Sequence, residues 1–206
     1  MKPNRKRLIL DTAARHFSQK GFADTSLEEV ASEAGVTKPA IYYHFKDKSA
    51  LYEAVLLGRL TRLADTVIEA TDIEATPERK LRHYIESFGD FLAANACFAA
   101  ILSHEFADDG AHLPDEAARL LARTLGRVTA ILEEGVEAGR FEVANPMLVQ
   151  MMIVSSLITH QTTSNLRKRV AVSLDGDFRL QPDPDMHDLS VQLADHILKS
   201  VRKECP

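Results

Sequence analysis

The sequence predicts an all-α protein, and three observations carry that prediction. Apolar residues recur at three- and four-residue spacing through almost the whole chain. Capping residues stand at the start of these runs, and glycines stand where several of them stop. No stretch alternates as a strand would, and no internal repeat or low-complexity region interrupts the pattern.

The elements follow in order. Leu10, Ala13, Ala14 and Phe17 share one side of a first helix that stops at Gly21, where a left-handed residue costs a glycine little. In "TSLEEVASEAGV", Ser26 and Glu29 have the spacing of a capping box, Leu27, Val30, Ala31 and Ala34 supply a buried side, and Gly35 ends the run. Thr37 is placed to cap a third helix, in whose first turn Pro39 is tolerated because the amides there lack intrahelical partners. Asp47 caps a longer fourth helix. Thr76-Pro77 opens a fifth that buries Leu81, Tyr84, Ile85, Phe88 and Leu92 and breaks at Asn95 or Ala96. "CFAAILSHEFADD" is a sixth, ended by Gly110; Pro114 opens a long seventh through Leu121, Leu125, Val128 and Leu132 to Gly139. Asn145-Pro146 begins an eighth, Asn165 to Asp183 is expected to be a long loop, and Asp185 caps a last helix through Leu189, Leu193, Ile197 and Val201.

Composition narrows the classes. The chain has 206 residues, 45% hydrophobic and 27% charged, which is ordinary for a folded domain or two and argues against disorder and fibres. Cys97 and Cys205 lie far apart without metal or disulfide spacing, and a reducing cytoplasm is expected. The basic N-terminus has its apolar positions interrupted by Asp11, Arg15 and His16, so no secretory signal is expected. The longest apolar tract, Pro146 to Ile158, contains Gln150 and two serines and falls short of the roughly 18 residues a membrane span needs. Residues 1–50 carry nine Lys/Arg against six Asp/Glu, a net of +3, whereas the remainder carries 16 against 24, a net of −8. A basic head on an acidic body suits contact with a polyanion at one end only.

The order helix, short helix, glycine turn, short helix is that of a helix-turn-helix. On the third helix Ile41 and Phe45 fall on one side and are expected to be buried, while Pro39, Ala40 and Tyr43 fall on the other, flanked by Tyr42 and His44. A helix in the major groove needs this layout, with small or stacking groups toward base edges and donors toward the phosphate walls. Lys38 lies nearer the buried side but in the first turn, from which a long side chain reaches a guanine edge. Aromatic residues at helical spacing are more often core, so it is the whole constellation that carries the reading.

Through "AARHFSQKGF" and "DTSLEEVASEAGVTKPAIYYHFKDKSALYEAVL" the chain resembles the tetracycline-repressor (TetR) family of bacterial transcription regulators over residues 7–56. The resemblance implies a DNA-binding helix-turn-helix domain over 1–46 and a helical ligand-binding and dimerisation domain over 47–206. It further implies that Thr25 and Ser26 touch a phosphate, that Thr37, Lys38, Ala40 and Tyr43 face bases, that Pro39 lines the groove, and that Tyr42, His44 and Lys48 hold the backbone. In the second domain it implies a pocket, whose lining the helix periodicity gives as mostly apolar, from Leu63, Phe88, Phe91, Leu92, Phe98, Leu102, Leu125 and Val128, with His83, Asn95, His104 and Glu105 as orienting polar groups. A solid core filled by the same side chains is the competing reading.

"MLVQMMIVSSLI" is apolar on nearly all sides and must be covered all round. One recognition helix reads only a few base pairs, so a two-fold dimer is expected, built from the Pro146 and Asp185 helices with Met151, Met152, Ile158, Leu193 and Ile197 at its interface. Three readings stand: a homodimeric repressor on a palindromic duplex operator released by a small-molecule effector, a DNA-binding protein of the same fold without an effector, and an all-helical metal-dependent enzyme. The third rests on His104, Glu105, Asp108, Asp109 and His112. It is disfavoured because Asp108 stands where a second zinc-protease histidine belongs, and because no phosphate loop, dinucleotide fingerprint or G-x-S-x-G occurs. No catalytic residue, metal or cofactor is therefore expected.

Overall fold

Side-chain caps and glycine stops divide the chain into helices, seen in a computed structural model that describes residues 5–174 and 182–203. These residues form α1 (Arg5–Lys20), α2 (Leu27–Glu33), α3 (Lys38–His44), α4 (Lys48–Asp72), α5 (Pro77–Ala94), α6 (Ala96–Ala107), α7 (Asp115–Glu137), α8 (Pro146–Thr162), α9 (Ser164–Val172) and α10 (Met186–Val201). The expected caps form: the side chains of Ser26, Asp47, Thr76, Asn145 and Asp185 accept from the amides of Glu29, Ala50, Arg79, Leu148 and Asp188. Gly21, Gly35, Gly110 and Gly139 take left-handed backbone at the stops. Thr37 departs from expectation, since it occupies the N-cap of α3 without a capping hydrogen bond from its side chain.

Two compact units result, Met1–Arg62 with Cys97–Ala122, and Leu63–Ala96 with Arg123–Pro206. Compactness thus groups α6 and the start of α7 with the first three helices and the start of α4 rather than following chain order. In the first unit α1 packs on α2 and α2 on α3, around Ile9, Phe17, Val30, Ile41 and Leu51, all fully buried. The Phe17 and Phe22 rings meet the Tyr52 ring edge-on at 4.7 and 5.0 Å. The Tyr52 hydroxyl donates to the buried Glu105 carboxylate of α6, and burial, with that carboxylate, pushes the phenol's pKa up.

In the second unit α10 lies along α5 and touches α8. A Cβ on Gly89 of α5 would lie 2.7 Å from the Ser190 Cβ of α10, so the two backbones approach as closely as small residues allow. A Cβ on Gly135 would meet the Phe141 ring at 2.0 Å. Tyr84 donates to Gln150 Oε1 at 3.0 Å and to the Thr124 carbonyl at 3.3 Å, a buried polar link between α5, α7 and α8. Burial pushes the Tyr84 phenol up to about 12.

Three expectations are corrected. The segment expected as a loop from Asn165 contains α9, which buries no residue and so shows no burial periodicity. The buried line of α7 runs through Ala117, Leu120, Thr124, Val128 and Ile131, leaving Leu121 and Leu125 half-buried. That of α10 runs through Met186, Ser190, Ala194, Ile197 and Val201, leaving Leu189 and Leu193 half-buried, because the close approach to α5 selects small residues over leucines. The rest of the expected loop, residues 175–181, and Cys205 lie outside the described residues. Among the described residues no single helix is long and apolar enough to cross a membrane.

Candidate nucleic-acid interface

The exposed side of α3 follows from its two anchors. Ile41 is fully buried and Phe45 nearly so; with these turned inward, the 100° step per residue turns Pro39 and Tyr43 outward. Tyr43 is 85% exposed and Tyr42 47%, large rings that a protein core would have taken in had they been structural. The Tyr43 ring meets His44 edge-on at 5.0 Å. Thr37, exposed and not engaged in capping, stands at the end of α3 from which Lys38 also extends. Thr37, Lys38, Pro39, Ala40, Tyr42, Tyr43 and His44 are therefore brought together on or beside one surface of a seven-residue helix.

Charge around this surface is organised by α2. Its Glu29 receives Lys20 at 2.6 Å. Glu33 receives Arg15 at 2.8 Å and His16 at 2.7 Å. Glu28 receives Lys38, whose ammonium also lies 5.8 Å from the Tyr42 ring centroid. Each glutamate is held below the usual carboxylate range chiefly by its cationic partner's hydrogen bond, and Lys38 is raised by Glu28 in return. Much of the positive charge counted in the head is thus matched locally, and the lysine expected to meet bases is held by a carboxylate that periodicity does not single out.

Two expected phosphate contacts have other employment. Thr25 is 2% exposed and its hydroxyl donates to the Gly21 carbonyl at 2.7 Å. Lys48 donates to the carbonyls of Phe22, Ala23 and Thr25 at 2.8, 3.0 and 3.1 Å and lies 4.5 Å from the centroid of the Phe22 ring. An ammonium has three protons, and all three are used in closing the α1–α2 loop. Ser26, half-buried, caps α2 at 3.3 Å and orients Glu28. The signal missed in the sequence is the run of carbonyls around Gly21, which a loop exposes only once folded.

The residues expected to line a pocket separate between the two units. In the second unit Leu63, Phe88, Phe91, Leu92 and Val128 are buried and Leu125 half-buried. There His83 pairs with Glu74 at 3.0 Å, and the Asn95 amide donates to the Phe91 carbonyl at 2.8 Å. In the first unit Phe98, Leu102 and Glu105 are buried, and His104 lies 3.2 Å from the Ser18 carbonyl. His112 packs on the Phe22 ring at 4.4 Å. His104, Glu105 and His112 thus turn to different partners, and among the described residues no group of three or more candidate ligands is placed to hold a metal.

Of the expected dimer residues, Ile158 and Ile197 lie inside the protomer's own core and Leu193 is half-buried, so Ile158 and Ile197 offer no surface to a second chain. Met151 and Met152 are 56% and 39% exposed, and Met147 and Leu148 extend the same uncovered apolar patch on α8.

A helix-turn-helix with an outward aromatic and basic helix, joined to a helical body, defines a class of DNA-binding regulators. The comparisons agree. Residues 9–55 match "Bacterial regulatory proteins, tetR family", and residues 77–181 match "Tetracyclin repressor-like, C-terminal domain". The HTH-type transcriptional regulator RutR of Escherichia coli is 30% identical over 156 residues, covering 74% of this chain and 71% of that protein. The HTH-type transcriptional activator FasR of Mycolicibacterium smegmatis is 28% identical over 157 residues, covering 74% and 70%. The crystal structure of the transcriptional regulator FadR from Bacillus subtilis in complex with stearoyl-CoA has a TM-score of 0.73 at 21% identity, covering 93% of this chain and 97% of that one. The chain belongs to the tetR family of bacterial regulatory proteins, and it is a DNA-binding transcriptional regulator.

Proposed function

We propose that the protein is a repressor that binds a palindromic operator as a homodimer in the cytoplasm and is released by a small, mostly hydrophobic ligand. The observation that carries the DNA contact is the outward face of α3, where Tyr43 stands almost wholly in solvent above the buried Ile41. Thr37, Lys38, Ala40 and Tyr43 meet base edges, Pro39 lines the groove, and Ser26, Tyr42 and His44 meet phosphates. Thr25 and Lys48 act indirectly, by shaping the loop that presents α2.

Dimerisation is supported by Met147, Leu148, Met151 and Met152, an apolar patch that a second copy covers by two-fold symmetry. Leu193 borders the contact, while Ile158 and Ile197 support it from within the protomer. The effector is supported by the C-terminal family match and by a structural neighbour solved with stearoyl-CoA. Within the second unit Phe88, Phe91, Leu92 and Val128 are the apolar side chains offered to it, and Leu63 and Leu125 extend the candidate lining. His83 and Asn95 are already bonded within that unit, so the lining offers a ligand chiefly apolar contact. A ligand acts only through its preference for the DNA-free arrangement of the two heads; a coupling of about 1–3 kcal/mol gives a 5–150-fold loss of operator affinity.

The test is a thermal-shift screen of hydrophobic metabolites, each hit then added to the protein–operator complex. Hits that raise Tm and release DNA support the reading; hits that raise Tm and leave operator affinity unchanged overturn the release mechanism and leave the DNA contact standing.

A further inference from the structure

α2 carries three glutamates, and two of them face back. Glu29 and Glu33 pair with Lys20, Arg15 and His16 of α1, contacts that fasten one helix to the next within the head. Glu28 alone reaches forward. One of its oxygens takes the Lys38 ammonium of α3 and the other lies 3.3 Å from the Ser26 hydroxyl, which orients the carboxylate from behind. Both side chains of the Glu28–Lys38 pair are well exposed, so nothing in the core keeps the pair closed.

We propose that Glu28 is a specificity-determining residue of the DNA interface, which holds the Lys38 ammonium away from phosphate and yields it to a base edge. The proposal rests on the reading of α3 as the recognition helix. An exposed ion pair is weak in water, so it does not prevent binding. Its effect lies in whether it must break. Over a guanine, the Lys38 ammonium has three protons and keeps the carboxylate on one while the others reach the O6 and N7 acceptors. Over a sequence without such acceptors only phosphate is on offer, and moving Lys38 there leaves the Glu28 carboxylate unpaired beside a polyanion. Glu28 therefore disfavours non-specific complexes more than specific ones, and a lysine that would otherwise add sequence-blind attraction is kept for readout.

The test uses the full-length protein, a duplex it enriches from a random-sequence pool, and poly(dA-dT), which lacks the guanine O6 and N7 pair, as non-specific DNA, with affinities measured over a range of salt. Glu28→Gln is expected to bind poly(dA-dT) about threefold to tenfold more tightly. Its log K against log salt slope there should steepen by about 0.9, one added phosphate contact, with a smaller change on the enriched duplex. In the Lys38→Ala background the same substitution should leave the slope unchanged. Equal tightening on both DNAs, or the same steepening without Lys38, overturns the proposal while the DNA-binding reading stands. If the wild-type protein enriches no sequence, the DNA-binding reading fails and takes the proposal with it.

Discussion

α3 and α8 each leave large side chains in water, and the difference between them indicates what covers each. On α3 the exposed groups are Tyr42 and Tyr43, with Thr37 and Lys38 beside them, rings and donors whose polar ends suit a hydrated, charged surface. On α8 they are Met147, Leu148, Met151 and Met152, which have almost no polar end and gain only by leaving water. Burial alone does not separate a recognition face from an association face. The chemistry of the exposed tips does.

The largest effect expected is at α8 and α10, where one charge in each of two apolar places should act differently. Ile197→Asp puts an unpaired charge in the protomer core and should lower stability by several kcal/mol, read by chemical denaturation. Met151→Asp should leave the protomer folded, give monomers by sedimentation, and weaken operator binding on the order of 100-fold as the second head is lost. A folded Met151→Asp dimer would erase the contrast between the two faces.

Next comes the packing behind them. Gly89→Ala should cost about 1–3 kcal/mol, since its Cβ would press on Ser190 and drive α5 from α10. At α3, Lys38→Ala should relax preference at one base pair by about 1–3 kcal/mol. Tyr42→Phe should instead weaken all sequences alike by about 0.5–1.5 kcal/mol, the range for a single hydrogen bond, read by anisotropy on matched and mismatched duplexes.

The smallest effect is a surface control remote in kind from both faces. Asp90, by its hydrogen bond to His187 at 3.1 Å, raises that imidazole above its ordinary 6.5. Because the folded value is raised, the stabilisation is complete below the unfolded pKa and is lost as pH rises through the folded one. NMR titration should show His187 titrating above 6.5, and Asp90→Asn should return it toward that value.

Much of this was legible from residues. Ser26, Asp47, Thr76, Asn145 and Asp185 marked helix starts because a cap is local chemistry, decided within four residues. The outward turn of Tyr43 followed from Ile41 and Phe45 by helix geometry alone. What could not be read depended on partners distant in sequence. Lys48 closes a loop more than twenty residues away, and Glu28 meets Lys38 only once the turn between α2 and α3 is formed. The inward line of α10 shifted from Leu189 and Leu193 to Ser190 and Ala194 because Gly89 lets α5 come close, a fact about a neighbour. α9 buries nothing and so carries no periodicity to read.

The most direct test of the central claim is the composition of the complex formed with a duplex that the full-length protein enriches from a random pool, read by native mass spectrometry and footprinting. Two chains on an inverted repeat, with half-site centres about 34–36 Å apart, is the predicted result, since each α3 covers one half-site and the two α8 faces cover each other. One chain on a single half-site, or enrichment of no sequence at all, would contradict it.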